Sequence, residues 1–598
     1  MEHKAQTWDL DSVFPGGSES SEFRAFLDQL ASDTATFADQ LTKRVQSTDR
    51  DDWIHMIETV QNLADRQREA GAFVSCLGAA DTKDREAKIL RGRISQLGAQ
   101  LNSMFTTFDA GLENLDDAVW QSLLADERLQ TVRFSLEERR KRAKQRMTPA
   151  AEKLVSDLMV DGYHGWGQLY DTIVGKMSLT IEEDGQPKSL SMGQAHNKLS
   201  SPHQAVRNEV FSKWESTWAS ESDLFGDTIN HLAGFRLAAY KHRGWDSVLQ
   251  EPLEINRMDE ETLNVMWRVI EENKPRFTEY MSAKAKLLGL EKLGWQDVDA
   301  PIGTTSSKSV SYEEARKFIV NQFGSFSPDM ADFADSCFER RWIEAEDRPG
   351  KRPGAFCTSF PVSQQTRVFT TFSGTVGNVS TLAHELGHAY HQHVMAGLPR
   401  FAQNYAMNVA ETASTFAEMI VSDASLKAAE GEEERLALLD DKLHRSVAMF
   451  MNIHARFLFE TSFYEERKQG PVSVERINTL MENAQKEAYC DALGSYHPHF
   501  WASKLHFYIT GTPFYNFPYT FGYLFSTGLY AQSQKEGAGF ADRYVALLRD
   551  TASMRVEDLA KKHLGVDLRE PTFWREAIAT LLPDAREFVD LVAKRQAR

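Results

Sequence analysis

Apolar residues return every three to four positions along most of this 598-residue chain, and only 35 glycines and 18 prolines interrupt the pattern. A period near 3.6 with so few breakers points to packed amphipathic helices, so the chain is predicted to be mostly α. From about Ser21 to Leu158 it reads as a succession of long helices with charged outer faces. The run Leu136-Glu137-Glu138-Arg139-Arg140-Lys141-Arg142 within them is expected to be a solvated face. Ser200, Ser201 and Pro202 start a further helix, on which Val206, Val210, Phe211, Trp214 and Trp218 fall along one stripe. Length alone allows about three to six domains. We divide the chain more coarsely, into an N-terminal helical region at 1–195 and a larger region at 196–598.

Two β signals interrupt the helices. The first joins Met177–Ile181 to Lys188–Met192 through Asp184-Gly185, a favoured hairpin dipeptide. The second pairs Phe356–Phe360 with Arg367–Phe372 across a turn containing proline. It reads either as a small stabilising sheet or as the lining of a binding site, whose exposed edge takes up an extended peptide as an added strand. Phe356 and Cys357 are candidates for that contact. Gly303–Ser309 reads as a surface loop or hinge.

Composition narrows the function classes. The formal net charge of −18 disfavours nucleic acid as partner, because phosphate binding needs clustered Lys and Arg. Cys76, Cys337, Cys357 and Cys490 are too widely spaced for a disulfide framework or a thiolate zinc knuckle. The N-terminus, beginning Met1-Glu2-His3-Lys4-Ala5, has no apolar signal region, and no run reaches the roughly 18 to 20 apolar residues of a membrane span. A cytoplasmic protein without membrane partners is expected; whether it is a monomer or a homodimer is open.

Thr381-Leu382-Ala383-His384-Glu385-Leu386-Gly387-His388 contains H-E-x-x-H inside a stretch of helical character. On a helix His388 lies about 40° round from His384 and one turn along, so both imidazoles reach one cation. Glu385 lies about 60° from His388, placed to reach a metal-bound water without displacing a ligand. A random chain of this composition contains roughly 0.07 such matches, so the motif needs support from elsewhere. A catalytic zinc site has three protein ligands and one open position, hence a third ligand downstream. The H-E-x-x-H-x-x-G-x-x-H pattern fails, since His391 and Val394 stand where Gly and His are needed. An aminopeptidase-like spacing fails as well, because Met407 occupies the Glu position. Glu411 and Glu418 follow, seven apart and within about 20° on one helical face. Glu411 is also placed to close a capping box with Asn408, the lesser alternative. Glu418 is the candidate for orienting a ligand histidine by hydrogen bonding, and His391 is either another such residue, a substrate contact or an ordinary buried histidine.

Three blocks now carry a resemblance: His384-Glu385-Leu386-Gly387-His388-Ala389-Tyr390-His391, Ala410-Glu411-Thr412-Ala413-Ser414-Thr415, and Phe514-Tyr515-Asn516-Phe517-Pro518-Tyr519-Thr520-Phe521-Gly522-Tyr523-Leu524-Phe525-Ser526. The chain resembles the oligoendopeptidase F-like branch of the thimet oligopeptidase and neurolysin family of zinc peptidases. The resemblance implies a large helical bowl or clamshell with a small β-hairpin or sheet near the active-site helix, region 196–598 as the catalytic domain, and short peptides as substrates. It implies one Zn²⁺ held by His384, His388 and Glu411, with Glu385 as general base, Tyr523 as an oxyanion donor and His506 beside it.

The last block is unusual in itself, with thirteen Phe, Tyr or Trp among the 35 residues from Tyr496 to Tyr530. Most of these rings are expected in a helix-packing core. Tyr508, Tyr515 and Tyr519 are candidates for substrate contacts, while His497 and His499 are read as structural. An exopeptidase, or a peptide-binding protein with a structural zinc, are the alternatives, and the donor set also accepts manganese or cobalt.

Overall fold

The computed structural model describes residues 6–183, 185–302 and 309–598. Residues 1–5 of the expected signal-free N-terminus, Asp184 of the first turn and 303–308 of the expected hinge lie outside the described residues. About 72% of the chain is helical, leaving the few strands to two small sheets. The strands β1 (Ser178–Glu183) and β2 (Gln186–Ser191) pair antiparallel, with Ser178 opposite Ser191 and Ile181 opposite Lys188. The other sheet holds β3 (Ile343–Glu344), β4 (Phe356–Phe360) and β5 (Gln365–Phe369) in the order β3–β5–β4. β4 and β5 are antiparallel, with Phe356 opposite Phe369, and β3 and β5 are parallel. Both expected hairpins form with shifted ends. Met192 opens a helix because Ser191 and Gln194 close a capping box there, and β5 stops at Phe369.

Contacts divide the chain into two compact units, each built from three separate stretches. The first comprises Met1–Arg146, Lys308–Ala424 and Gln532–Gly565. Its helices Ser21–Arg44, Arg50–Ala80 and Arg85–Asn114 start at Ser20, Asp49 and Asp84, whose side chains accept backbone N–H groups of the first turn. Phe23, Leu27, Leu30, Phe37 and Leu41 are buried on the first helix and Leu97, Leu101, Met104 and Phe108 on the third, at the spacing of a helical stripe. The same core takes in Trp8, Phe360, Phe369 and Phe401. The charged run at 136–142 is not simply a solvated face. Arg140 is buried, donating to the Leu112 carbonyl at 3.0 Å and Asp117 at 2.9 Å. Arg139 pairs with Asp109 at 2.9 Å over the rings of Phe105 and Phe401. Long aliphatic stems let arginines cover apolar surface while their forks find acceptors at helix ends.

The second unit comprises Met147–Ser307, Ser425–Ala531 and Val566–Arg598. Val210, Trp214 and Trp218 bury the stripe of its helix Gln204–Ser220, and the same helix sinks Arg207 into a 2.9 Å ion pair with buried Asp297. Helix Glu432–Val447 runs through a π-helical turn at Ala448–Asn452 into Ile453–Arg467. No helix of the described residues is long and apolar enough to cross a membrane.

One buried carboxylate shapes the β4–β5 hairpin. Glu69, on helix Arg50–Ala80, accepts the Val362 N–H at 3.0 Å, the Ser363 N–H at 3.2 Å and the Ser363 hydroxyl. Glu69→Ala leaves three donors of that turn without their acceptor. We expect a loss of about 1–3 kcal/mol in urea unfolding, with the turn at 361–364 becoming the first site of proteolysis.

Candidate metal centre

The motif lies on helix Val376–Val394, which Thr375 and Asn378 open with a capping box. His384 and His388 share one face, their ring centroids 5.0 Å apart. After a loop the chain forms the short helix Met407–Ala410, breaks at Glu411 (φ −84°, ψ 4°) and continues as helix Thr412–Ala428. The cap of the short helix is Ala406 and Asn408 sits inside it, so the capping box open to Glu411 in sequence does not form. Glu411 turns to the histidines instead. Its Oε2 lies 3.3 Å from His384 Nε2 and 3.4 Å from His388 Nε2, and accepts the Ser414 hydroxyl at 2.6 Å.

Gly387 makes this convergence possible. A Cβ there would stand 2.5 Å from the Ala413 carbonyl oxygen and 2.7 Å from Ser414 Cα. The two helices therefore touch backbone to backbone, one residue from His388 on one side and two from Glu411 on the other. Sequence reasoning passed over this residue; the signal was a glycine inside a helical pattern, which costs helix stability unless packing needs it.

The donor set suits a divalent ion. Zinc bonds of about 2.0–2.2 Å at tetrahedral angles place neighbouring ligand atoms about 3.3–3.6 Å apart, and both His–Glu separations are of that size. All three donor atoms lie within 4.8 Å of one another. Glu418 stands behind them, its Oε2 3.3 Å from His384 Nδ1 and its Oε1 accepting the Ser380 hydroxyl at 3.0 Å.

The carboxylates of the site differ in their electrostatics. Burial alone would raise Glu411, but the hydrogen bonds and charges of His384 and His388 outweigh it and hold the carboxyl far below its usual range. Glu385 is buried, and one of its oxygens, Oε2, has no protein hydrogen-bond partner. Burial pushes its pKa up, more than the neighbouring His388 and His384 pull it down.

The remaining candidates divide. Cys357 and Phe356 are adjacent on β4 and therefore point to opposite faces. Cys357 lies 3.6 Å from Gln392 Oε1 on the motif helix and within electrostatic reach of Glu385. Phe356 stacks on Phe369 at 5.0 Å beside Trp8, against the core. His391 is fully buried: Nε2 bonds Thr551 at 3.0 Å and the Leu548 carbonyl at 3.2 Å, the ring stacks on Tyr405, and burial pushes its pKa down to about 3. It is a neutral packing histidine.

In the second unit Tyr508 is buried, stacked on Tyr170 at 3.9 Å, in place of the expected substrate contact. Tyr523 is 4% exposed and its hydroxyl pairs with Ser446 Oγ at 2.8 Å, because it stands one turn deeper in helix Phe517–Glu536 than Tyr519. Tyr515 and Tyr519 are half-buried, hydroxyls 3.2 Å apart, and the Tyr515 ring lies 4.9 Å from His506. His506 Nδ1 meets Asn516 Oδ1 at 2.7 Å and Arg456 Nη1 at 2.9 Å. Burial and the Arg456 charge lower its pKa to about 4, so the ring is neutral at pH 7.

Two imidazoles and a carboxylate around one point, with a buried carboxylate beside them on a mostly α fold, describe a metallopeptidase. Comparison with known proteins agrees. The profile of Peptidase family M3 matches residues 198–580 and that of Oligopeptidase F residues 112–178. The chain therefore belongs to peptidase family M3. It is a metalloendopeptidase, a hydrolase acting on peptide bonds. Oligopeptidase PepF of Bacillus subtilis (strain 168) is 24% identical over 94% of this chain and 84% of its own length. Group B oligopeptidase PepB of Streptococcus agalactiae is 23% identical over 99% and 98%. A solved structure from Chlamydophila abortus superposes with a TM-score of 0.85 at 19% identity, covering 98% of both chains. Oligoendopeptidase F from Enterococcus faecium gives 0.71 at 18%, covering 96% and 99%.

Gly387→Ala tests the helix contact. The added methyl forces the helices apart at a cost of about 1–3 kcal/mol, seen in thermal unfolding, and the separated donors bind added Zn²⁺ or Co²⁺ more weakly in a competition titration with a chromophoric chelator.

Proposed function

We propose that the protein is a zinc-dependent oligoendopeptidase of the cytoplasm that hydrolyses internal bonds of short, unstructured peptides, with 196–598 as its catalytic region. The observation that carries this reading is the convergence of His384, His388 and Glu411, with Glu411 Oε2 3.3 and 3.4 Å from the two imidazoles, beside the buried Glu385. The span of the family match supports the boundary, and the names of the relatives, oligopeptidases and oligoendopeptidases, support small peptides as substrates.

His384, His388 and Glu411 would hold the ion. Zinc bound there supplies a Lewis acid that polarises the scissile carbonyl and acidifies water. Glu418 accepts the Nδ1–H of His384 and so keeps Nε2 as the lone-pair donor. Glu385 takes the proton of the attacking water and delivers it to the leaving nitrogen, so that the C–N bond breaks into an amine and a carboxylate. A carboxyl raised by burial is suited to holding that proton between the two transfers. β4 is an edge strand, and an extended peptide added to it gains backbone hydrogen bonds independent of its side chains, past Cys357. In the second unit Tyr515 and Tyr519 are the tyrosines we retain as candidates for substrate contact, whereas the Tyr523 hydroxyl is buried on Ser446.

Glu385→Gln retains the metal, measured by atomic emission on the purified variant, yet loses roughly 10²–10⁴-fold in turnover of an internally quenched peptide. Chelation abolishes wild-type turnover and Zn²⁺ restores it; activity undiminished in metal-free protein rejects the reading. The tyrosine assignment is tested separately. Tyr519→Phe raises KM for the quenched peptide, whereas Tyr523→Phe leaves KM unchanged and chiefly lowers the melting temperature.

A further inference from the structure

A cavity of about 220 Å³ lies in the first unit at the C-terminal end of the motif helix, enclosed by that helix, the β4–β5 turn and the loop that leads to Glu411. Arg68 and Arg400 line it together with Gln392 and Tyr405. The two guanidinium groups lie within electrostatic reach of each other, and burial together with the Arg68 charge depresses the pKa of Arg400. Their protein partners are few. Arg68 donates to the neutral Thr358 hydroxyl at 3.3 Å. Among the described residues Arg400 donates no hydrogen bond, and its ion pair with Asp65 spans 3.9 Å, beyond hydrogen-bonding distance. Asp65 offsets part of the charge, and the other nearby carboxylate, Glu69, is consumed by the Val362 and Ser363 donors. His393, also on the wall, stacks on Phe333. Two forked cations with unfilled donors in a partly enclosed cavity are built for a planar anion.

The cavity lies on the side of the motif helix that carries the candidate metal centre, one to two turns along it. Tyr405 feels the charges of Arg68 and Arg400 on one side and Glu411 on the other, and Cys357 feels both Arg68 and Glu385. Gln392 follows Glu385 by seven residues, within about 20° on the same helix face and about 10 Å along the axis. That distance is roughly three residues of extended chain. The volume lies below the ~300–1,000 Å³ of small-molecule sites and suits one residue of a peptide.

Resting on the peptidase reading above, we propose that Arg68 and Arg400 form a subsite for a peptide carboxylate about three residues from the scissile bond. The carboxylate is that of the chain terminus or of an Asp or Glu side chain. The pair thereby makes the enzyme prefer peptides that end, or carry an acid, at that distance.

Two matched sets of internally quenched peptides test this. In one, the chain ends two to five residues from the cleaved bond on either side, as the free carboxylate or as the amide. In the other, both ends are blocked and a single Glu or Gln is scanned through the same positions. The wild type is expected to show about a tenfold lower KM for the acid at one position about three residues away, in the first set for a terminus or in the second for a side chain. In Arg68→Gln and in Arg400→Gln the ratio of KM for acid over neutral peptide moves toward one. The Glu385→Gln protein gives the same comparison without turnover, as fluorescence anisotropy of the labelled acid and neutral peptides. If either arginine variant fails to fold, the other carries the test. Equal KM values for acid and neutral peptides in the wild type, or a preference that survives in the folded variants, overturn the subsite. No cleavage of any peptide would instead overturn the peptidase reading itself.

Discussion

Everything at the centre depends on the backbone contact between the motif helix and the helix that follows Glu411. Side chains as short as Glu can meet a histidine across a helix pair only if the axes come unusually close, and ordinary side chains at the contact hold axes about 8–10 Å apart. Gly387 removes the obstruction, letting Ala413 and Ser414 pack against the motif helix without an intervening Cβ. The break at Glu411 is the second half of the device. A helix running uninterrupted from Met407 would fix Glu411 on its cylinder, whereas the junction turns the carboxylate toward His384 and His388 and Ser414 holds it there. Convergence of the three donors and packing of the two helices are thus one property of the structure.

Burial acts on both central carboxylates, yet their protonation preferences diverge. Desolvation raises each; what differs is hydrogen bonding. Glu411 is met by two imidazoles and stays ionised, while Glu385 has one oxygen without a protein partner and is held ready to bind a proton. The two carboxylates are separated by their surroundings, which is what the proposed ligand and base roles require of them.

The helical class and the pairing of both hairpins were legible because apolar period and turn chemistry are local. His384, His388 and Glu385 were legible because helical geometry fixes their relation, whereas the ligand role of Glu411 came from resemblance, since its spacing also allows a capping box. What stayed hidden depends on packing across the sequence. Nothing local distinguishes Tyr523, buried on Ser446, from Tyr519 one turn earlier. Nothing local shows that His391 is consumed by Thr551, 160 residues away. Phe356 and Cys357 look alike as candidates in sequence, but strand alternation sends neighbours to opposite faces. The arginines of the 136–142 run looked solvated because their acceptors, Leu112 and Asp117, come from another part of the chain.

The division at residue 196 also needs a physical qualification. Helix Arg50–Ala80 lies outside both matched family segments, yet consecutive residues on it brace the hairpin packed on the motif helix. Glu69 ties down the β4–β5 turn, and Arg68 bonds Thr358 on the core-facing side of β4. β4 is thereby fixed with Cys357 turned toward the motif helix, where Thr366 and Gln392 hold its sulfur. A strand at a sheet edge has hydrogen-bonding partners on one side only and must take its rigidity from the elements packed on its faces. Here one face is the motif helix and the other the N-terminal helix. The edge strand is therefore a joint product of both regions, and a fragment beginning at 196 would keep His384, His388 and Glu411 while losing the brace that positions the strand beside them.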